Sequence, residues 1–94
     1  MGNFSNYEMN RCMISFTESL DILERVESEK LIDHLKIEDP ESVHFFNKAR
    51  ESWLDYRKAE CLLFYNLYRN GSIRSIMYTS CIDKKTYNRL EWLF

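Results

Sequence analysis

Ninety-four residues, 45% of them hydrophobic and 30% charged, fit one domain spanning 1–94 and one core. Six Phe, six Tyr and two Trp against two Gly and one Pro exclude a disordered, collagen-like or low-complexity chain. The net charge of −2 conceals an asymmetry: residues 18–41 carry nine acids and three bases, residues 42–94 nine bases and five acids, which reads either as solvated helix faces or as a docking surface for a basic partner.

The first element opens with Ser5 and Glu8 at capping-box spacing, so a helix is predicted from about Asn6. Met9, Met13, Phe16, Leu20 and Leu23 then advance by four, three, four and three, one stripe of a 3.6-residue helix. The stripe weakens from Glu27 to Lys30 and resumes at Leu31 and Leu35, which predicts one long helix of about 45 Å with room for a bend. Residues 1–4 are expected to be disordered or a cloning remnant, Met1-Gly2 reading as an initiator joined to a mature sequence.

Asp39-Pro40-Glu41 is a second start signal, since Asp caps, Pro suits the first helical position and Glu complements the positive end of the macrodipole. The inward positions of this central helix read Phe45, Ala49, Trp53, Tyr56, Glu60, Leu63 and Leu67. Asn70-Gly71 supplies residues tolerant of positive φ at its end, and Ser72 is placed to cap a third helix from about Ile73. Ile73, Ile76, Met77 and Cys81, then Tyr87, Leu90 and Phe94, form that helix's apolar sides, interrupted by Asp83, Lys84 and Lys85. No strand-like alternation competes. The predicted fold is all-α, a three-helix antiparallel bundle of two successive helical hairpins.

Hairpin geometry converts cysteine positions into distances. Cys61 lies ten residues before Gly71 and Cys81 ten after, so the two share a level, and Cys12 falls opposite about residue 64. Cys61 with Cys81 is the favoured pair if a bridge forms; reduced core thiols are the other reading. No C-x-x-C occurs, and His34 and His44 lie on the far side of the helical hairpin, so no metal is expected. Arg57 stands four residues from Trp53 and three from Glu60, which places a cation, an indole face and a carboxylate on one helical side. With Tyr56 beside them and Arg89 joining from the third helix, this reads as a clamp that locks helix packing, with ligand recognition as the alternative. Glu24, Glu27 and Asp33 are the candidate partner-binding acids.

Catalysis fails by inventory: the acids are scattered, no Gly-rich phosphate loop occurs, and neither His has a neighbouring Ser or Cys to activate. No cofactor is expected. Arg69, Arg74, Lys84, Lys85 and Arg89 form a loose basic zone without a nucleic-acid reader motif, so no nucleic acid is expected, and no apolar run of about 18 residues provides a membrane span.

Glu8-Met9-Asn10-Arg11-Cys12, Leu20-Asp21, Lys48-Ala49, the run from Trp53 to Cys61, Gly71-Ser72-Ile73, Met77-Tyr78, Cys81, Thr86, Arg89 and Leu93 together resemble the lysozyme inhibitor LprI-like family of bacterial envelope domains. Trp-x-x-Tyr-Arg-x-x-x-Cys followed by Gly-Ser-Ile is the specific part of the likeness. Arg50 stands where that family commonly has Gln, Asn70-Gly71 where it has a double Gly, and a further upstream Cys is absent. The resemblance implies a helical domain exported to the periplasm or cell surface, its cysteines oxidised, with Cys12 free or an alternative partner. It implies no catalytic residues and a protein partner, a basic lysozyme or lysozyme-like wall hydrolase whose cleft would be occluded sterically. An immunity protein against a peptidoglycan-degrading toxin and a structural adaptor of envelope assembly are the rival readings.

Overall fold

The structure, a computed structural model, describes the backbone of residues 6–94 and side chains from residue 15 onward. The expected states of residues 1–4, the Ser5–Glu8 box, and the side chains of Met9, Met13 and Cys12 lie outside the described residues. Three helices and no strand make up the rest: α1 (Asn6–Glu38), α2 (Pro40–Leu67) and α3 (Arg74–Leu93).

α1 runs unbroken for 33 residues, about 50 Å of helix. A single residue, Asp39, separates it from α2, and Pro40 takes the first helical position as its preset φ and missing N–H allow. Asp39 occupies the N-cap position without capping through its side chain; Ser42 instead donates its hydroxyl to Asp39 Oδ2 at 2.7 Å. The second connection also differs from expectation. No described residue has positive φ, so Asn70-Gly71 does not form a left-handed helix end. The chain leaves α2 through right-handed turns, with Tyr68 N–H donating to Phe64 O and Gly71 N–H to Tyr68 O at 2.9 Å, and Ile73 rather than Ser72 takes the N-cap position of α3. α3 continues helically through Asp83, Lys84 and Lys85.

α3 packs against both other helices more extensively than they pack against each other. Their numbering runs in opposite senses along α2 and α3: Phe46 stacks near Trp92, Cys61 bonds Cys81, and Tyr65 meets Tyr78 edge-on. The principal extents are 51 × 28 × 15 Å and the radius of gyration 16.1 Å, against about 12 Å for a compact chain of this length. So slender a body encloses few side chains. Among the described residues the buried apolar ones are Leu20, Phe46, Cys61, Ile82 and Leu90, accompanied by Glu24, Ser28, Thr79 and Thr86.

The inward faces are rotated from those the hydrophobic pattern predicts. On α1, Leu20 is buried but Phe16 and Leu23 are exposed, and the enclosed line continues through Glu24 and Ser28. On α2 the inner stripe is Phe46, Arg50, Trp53, Arg57, Cys61 and Phe64, all buried or half-buried, while Phe45, Ala49, Tyr56, Leu63 and Leu67 face out. On α3, Thr79, Ile82, Thr86 and Leu90 face inward and Ile73, Tyr87 and Phe94 do not. The reason is chemical: arginines on α2 find carboxylates on α1, and threonines bond their own helix, so polar residues fill positions a pattern of apolar residues leaves to solvent.

Candidate functional site

The site built by these faces is an ionic and aromatic seam along the bundle interior. At its first level Glu24, only 2% exposed, receives Arg50 Nε at 3.1 and 3.0 Å, Arg50 Nη2 at 2.6 Å and the Ser28 hydroxyl at 2.8 Å. Burial alone would raise this carboxyl's pKa, but the hydrogen bonds from Arg50 and Ser28 and the charges of Arg50 and Arg89 prevail, so it lies below its ordinary value. Arg50 is correspondingly raised, first by its bond to Glu24.

One level on, Arg57 Nη1 donates to Asp21 Oδ1 at 2.5 Å and to Thr86 Oγ1 at 2.9 Å, and the Thr86 hydroxyl donates in turn to the Ile82 carbonyl at 2.8 Å. The Arg57 guanidinium lies 4.9 Å from the centre of the Trp53 ring. Arg89 sits among Phe46, Trp53 and Trp92, with centroid distances of 5.5, 5.5 and 4.7 Å. Its Nε and Nη2 are buried without a hydrogen-bond partner in the structure, and desolvation lowers its pKa, offset in part by Glu24. Three aromatic rings and the charge of Glu24 surround this cation where those two nitrogens find no hydrogen bond.

On the opposite flank Lys85 Nζ meets Glu60 at 2.9 Å and the Tyr56 hydroxyl at 3.3 Å, above the Tyr56 ring. Bonds from Tyr56 and then Lys85 lower the Glu60 pKa, and Glu60 raises that of Lys85. Thr17 donates to Asp83, whose pKa is nevertheless raised, burial outweighing that bond and Asp21 adding to it. The Cys61–Cys81 disulfide, with Cα atoms 5.5 Å apart, ties α2 to α3 beside this flank. An open groove of about 310 Å³ lies there, lined by Glu60, Phe64, Met77 and Lys84; a second, about 230 Å³, lies over Asp21, Arg57 and Tyr78.

Of the expected clamp, Trp53, Arg57 and Arg89 come together. Tyr56 and Glu60 do not join them: Arg57 pairs across the bundle with Asp21, and Lys85 claims Glu60. Among the acids singled out for a partner, Glu24 is enclosed and committed to Arg50, so it offers no surface. Glu27 is half-buried beside Lys30 at 3.2 Å, and Asp33 is exposed, 3.9 Å from Lys36. The Glu24–Arg50 and Asp21–Arg57 pairs escaped sequence reasoning; the replacement of the usual Gln by Arg50 was the one signal for the first. Among the described residues no three His, Cys, Asp or Glu side chains gather to hold a metal, and no helix is long and apolar enough to cross a membrane.

A small three-helix protein with a disulfide-tied helix pair and an arginine-rich interior defines the class. The chain matches the model of the lysozyme inhibitor LprI family over residues 2–93 and belongs to that family. No curated protein and no solved structure matches it.

Proposed function

We propose that this chain is a non-catalytic protein of the bacterial envelope, periplasmic or at the cell surface, that inhibits lysozyme or a lysozyme-like peptidoglycan hydrolase by occluding its cleft. Membership of the LprI family across nearly the whole chain carries this reading. The Cys61–Cys81 bond supports an oxidising compartment, where such bonds persist. The opposed numbering of α2 and α3, and the one-residue link from α1 to α2, support two successive antiparallel hairpins as the scaffold. Of the three candidate acids, the exposed Asp33 and the half-buried Glu27 are left to meet a basic hydrolase, since Glu24 is internal; surface acids speed association with a cation-rich partner.

The test is a wall-lysis assay with purified lysozyme. Near-stoichiometric chain should abolish lysis, and the Glu27→Lys/Asp33→Lys variant should associate more slowly, by about tenfold at low salt with the difference shrinking as salt rises. Full lysis at a large excess of folded, oxidised chain would sink the inhibitor reading and favour an adaptor.

A further inference from the structure

The outer face of α2 has a pattern of its own. Phe45, Ala49, Ser52, Tyr56, Ala59 and Leu63 advance by four, three, four, three and four, the 3.5-residue repeat of a coiled-coil seam, and every one is exposed. Phe45 is 71% exposed and Leu63 52%, and neighbouring Leu62 and Leu67 also face out. None of the six seam positions is charged. The inner stripe of the same helix already packs on α1 and α3; in this second seam Tyr56 meets Lys85 of α3 through its ring and hydroxyl, yet its side chain, like the other five, stays exposed.

We propose that the outer seam of α2 is a docking surface for a second copy of this chain, the two α2 helices lying antiparallel. The spacing reads alike from either end about residue 54. Antiparallel pairing sets Phe45 against the partner's Leu63, Ala49 against the partner's Ala59, and Ser52 against the partner's Tyr56. Each layer then joins large with large, small with small, or one of each, with the thick Phe45–Leu63 layers at the two ends and no two Tyr56 rings in one layer. A parallel pair would instead set two Tyr56 rings together between an alanine and a serine layer, forcing the axes apart. The antiparallel arrangement also opposes the helix macrodipoles, and the alanine layers let the axes approach to about 8 Å. From Phe45 to Leu63 the seam is about 27 Å long. Together with Leu62, Leu67 and the aliphatic stem of Lys48 it buries on the order of 1,000 Å², the lower bound for a specific interface. The dimer is therefore expected in the micromolar range, and a net charge of −2 puts little repulsion in its way.

Sedimentation velocity on the oxidised chain from low to high micromolar concentration tests it. The expected result is a concentration-dependent monomer–dimer equilibrium, weakened about tenfold or more by Leu63→Glu or Ala59→Glu. Both substitutions fall on exposed positions, and unchanged helix content by circular dichroism would show the fold intact. Ile22→Glu, exposed on α1, should leave the dimer as it is. In a Cys12→Ser background, mixing Ala49→Cys with Ala59→Cys and adding a short bifunctional maleimide should cross-link the two variants to each other faster than either to itself. A chain monomeric throughout, a dimer indifferent to Leu63→Glu, or faster Ala49→Cys self-cross-linking overturns the proposal. So does a monomer whose hydrolase binding is lost in Leu63→Glu, which would assign the seam to that partner.

Discussion

Glu24 is more enclosed than any Leu, Ile or Phe among the described residues, and it is a charge. Removing one member of a buried pair strands the other, so Glu24→Ala should lower stability by about 3 to 5 kcal/mol, whereas the double change Glu24→Leu/Arg50→Leu should recover most of that loss in urea unfolding. Its pKa is depressed in the folded chain, so its contribution is complete above the ordinary value of 4.5 and is lost as pH falls through the lower folded value. The melting temperature should therefore drop on acidification below about pH 4.5, and drop less in Glu24→Gln. Asp83 has the opposite sign. Burial raises its folded pKa, so its ionised form opposes folding at neutral pH, and Asp83→Asn, which keeps an acceptor for Thr17, should raise the neutral-pH melting temperature. Trp53→Ala removes the ring against which both Arg57 and Arg89 lie and should cost about 3 to 5 kcal/mol by chemical denaturation.

At the scale of elements, helix number, order and the start at Pro40 were legible, because capping residues and turn chemistry are local. The phase of each helix was not, and α2 shows why. Leu63 lies two positions beyond Cys61, about 200° round the helix, so a Cys61 that faces α3 turns Leu63 outward; pairing Cys61 with Cys81 and burying Leu63 are incompatible. The apolar count favoured Leu63 and Phe45, while Arg57 was matched with Glu60 on its own helix and Arg50 was given no partner, since nothing in a linear pattern reveals that Glu24 and Asp21 wait across the bundle. Gly71 has an ordinary negative φ, and an added Cβ would meet nothing nearer than Tyr68 O at 3.5 Å. Gly71→Ala should be neutral or stabilise by up to about 1 kcal/mol in thermal melts. Reducing the Cys61–Cys81 bond, whose loop spans 20 residues, should cost about 3 kcal/mol, read as a lower urea midpoint in the presence of reductant.

Across the whole molecule the opposed charges of the two halves meet: acids from the 18–41 segment are neutralised by arginines of α2, so part of the asymmetry serves the fold and only the remainder is free for a partner. Salt should separate the two roles, slowing any association steered by the exposed acids while leaving the contribution of the Glu24–Arg50 pair to the melting temperature nearly constant, because an enclosed carboxylate is screened little. The polar interior also governs how the protein responds to temperature. Unfolding hydrates apolar groups at a gain in heat capacity and polar groups at a loss, and a body that encloses glutamate, serine and threonine beside so few aliphatic chains exposes an unusual share of the latter kind. Its heat-capacity increment should fall below the usual value of about 12 cal/mol/K per residue. The free-energy curve is then a broad, shallow dome, so the chain keeps nearly the same margin against unfolding in a cold environment as in a warm one.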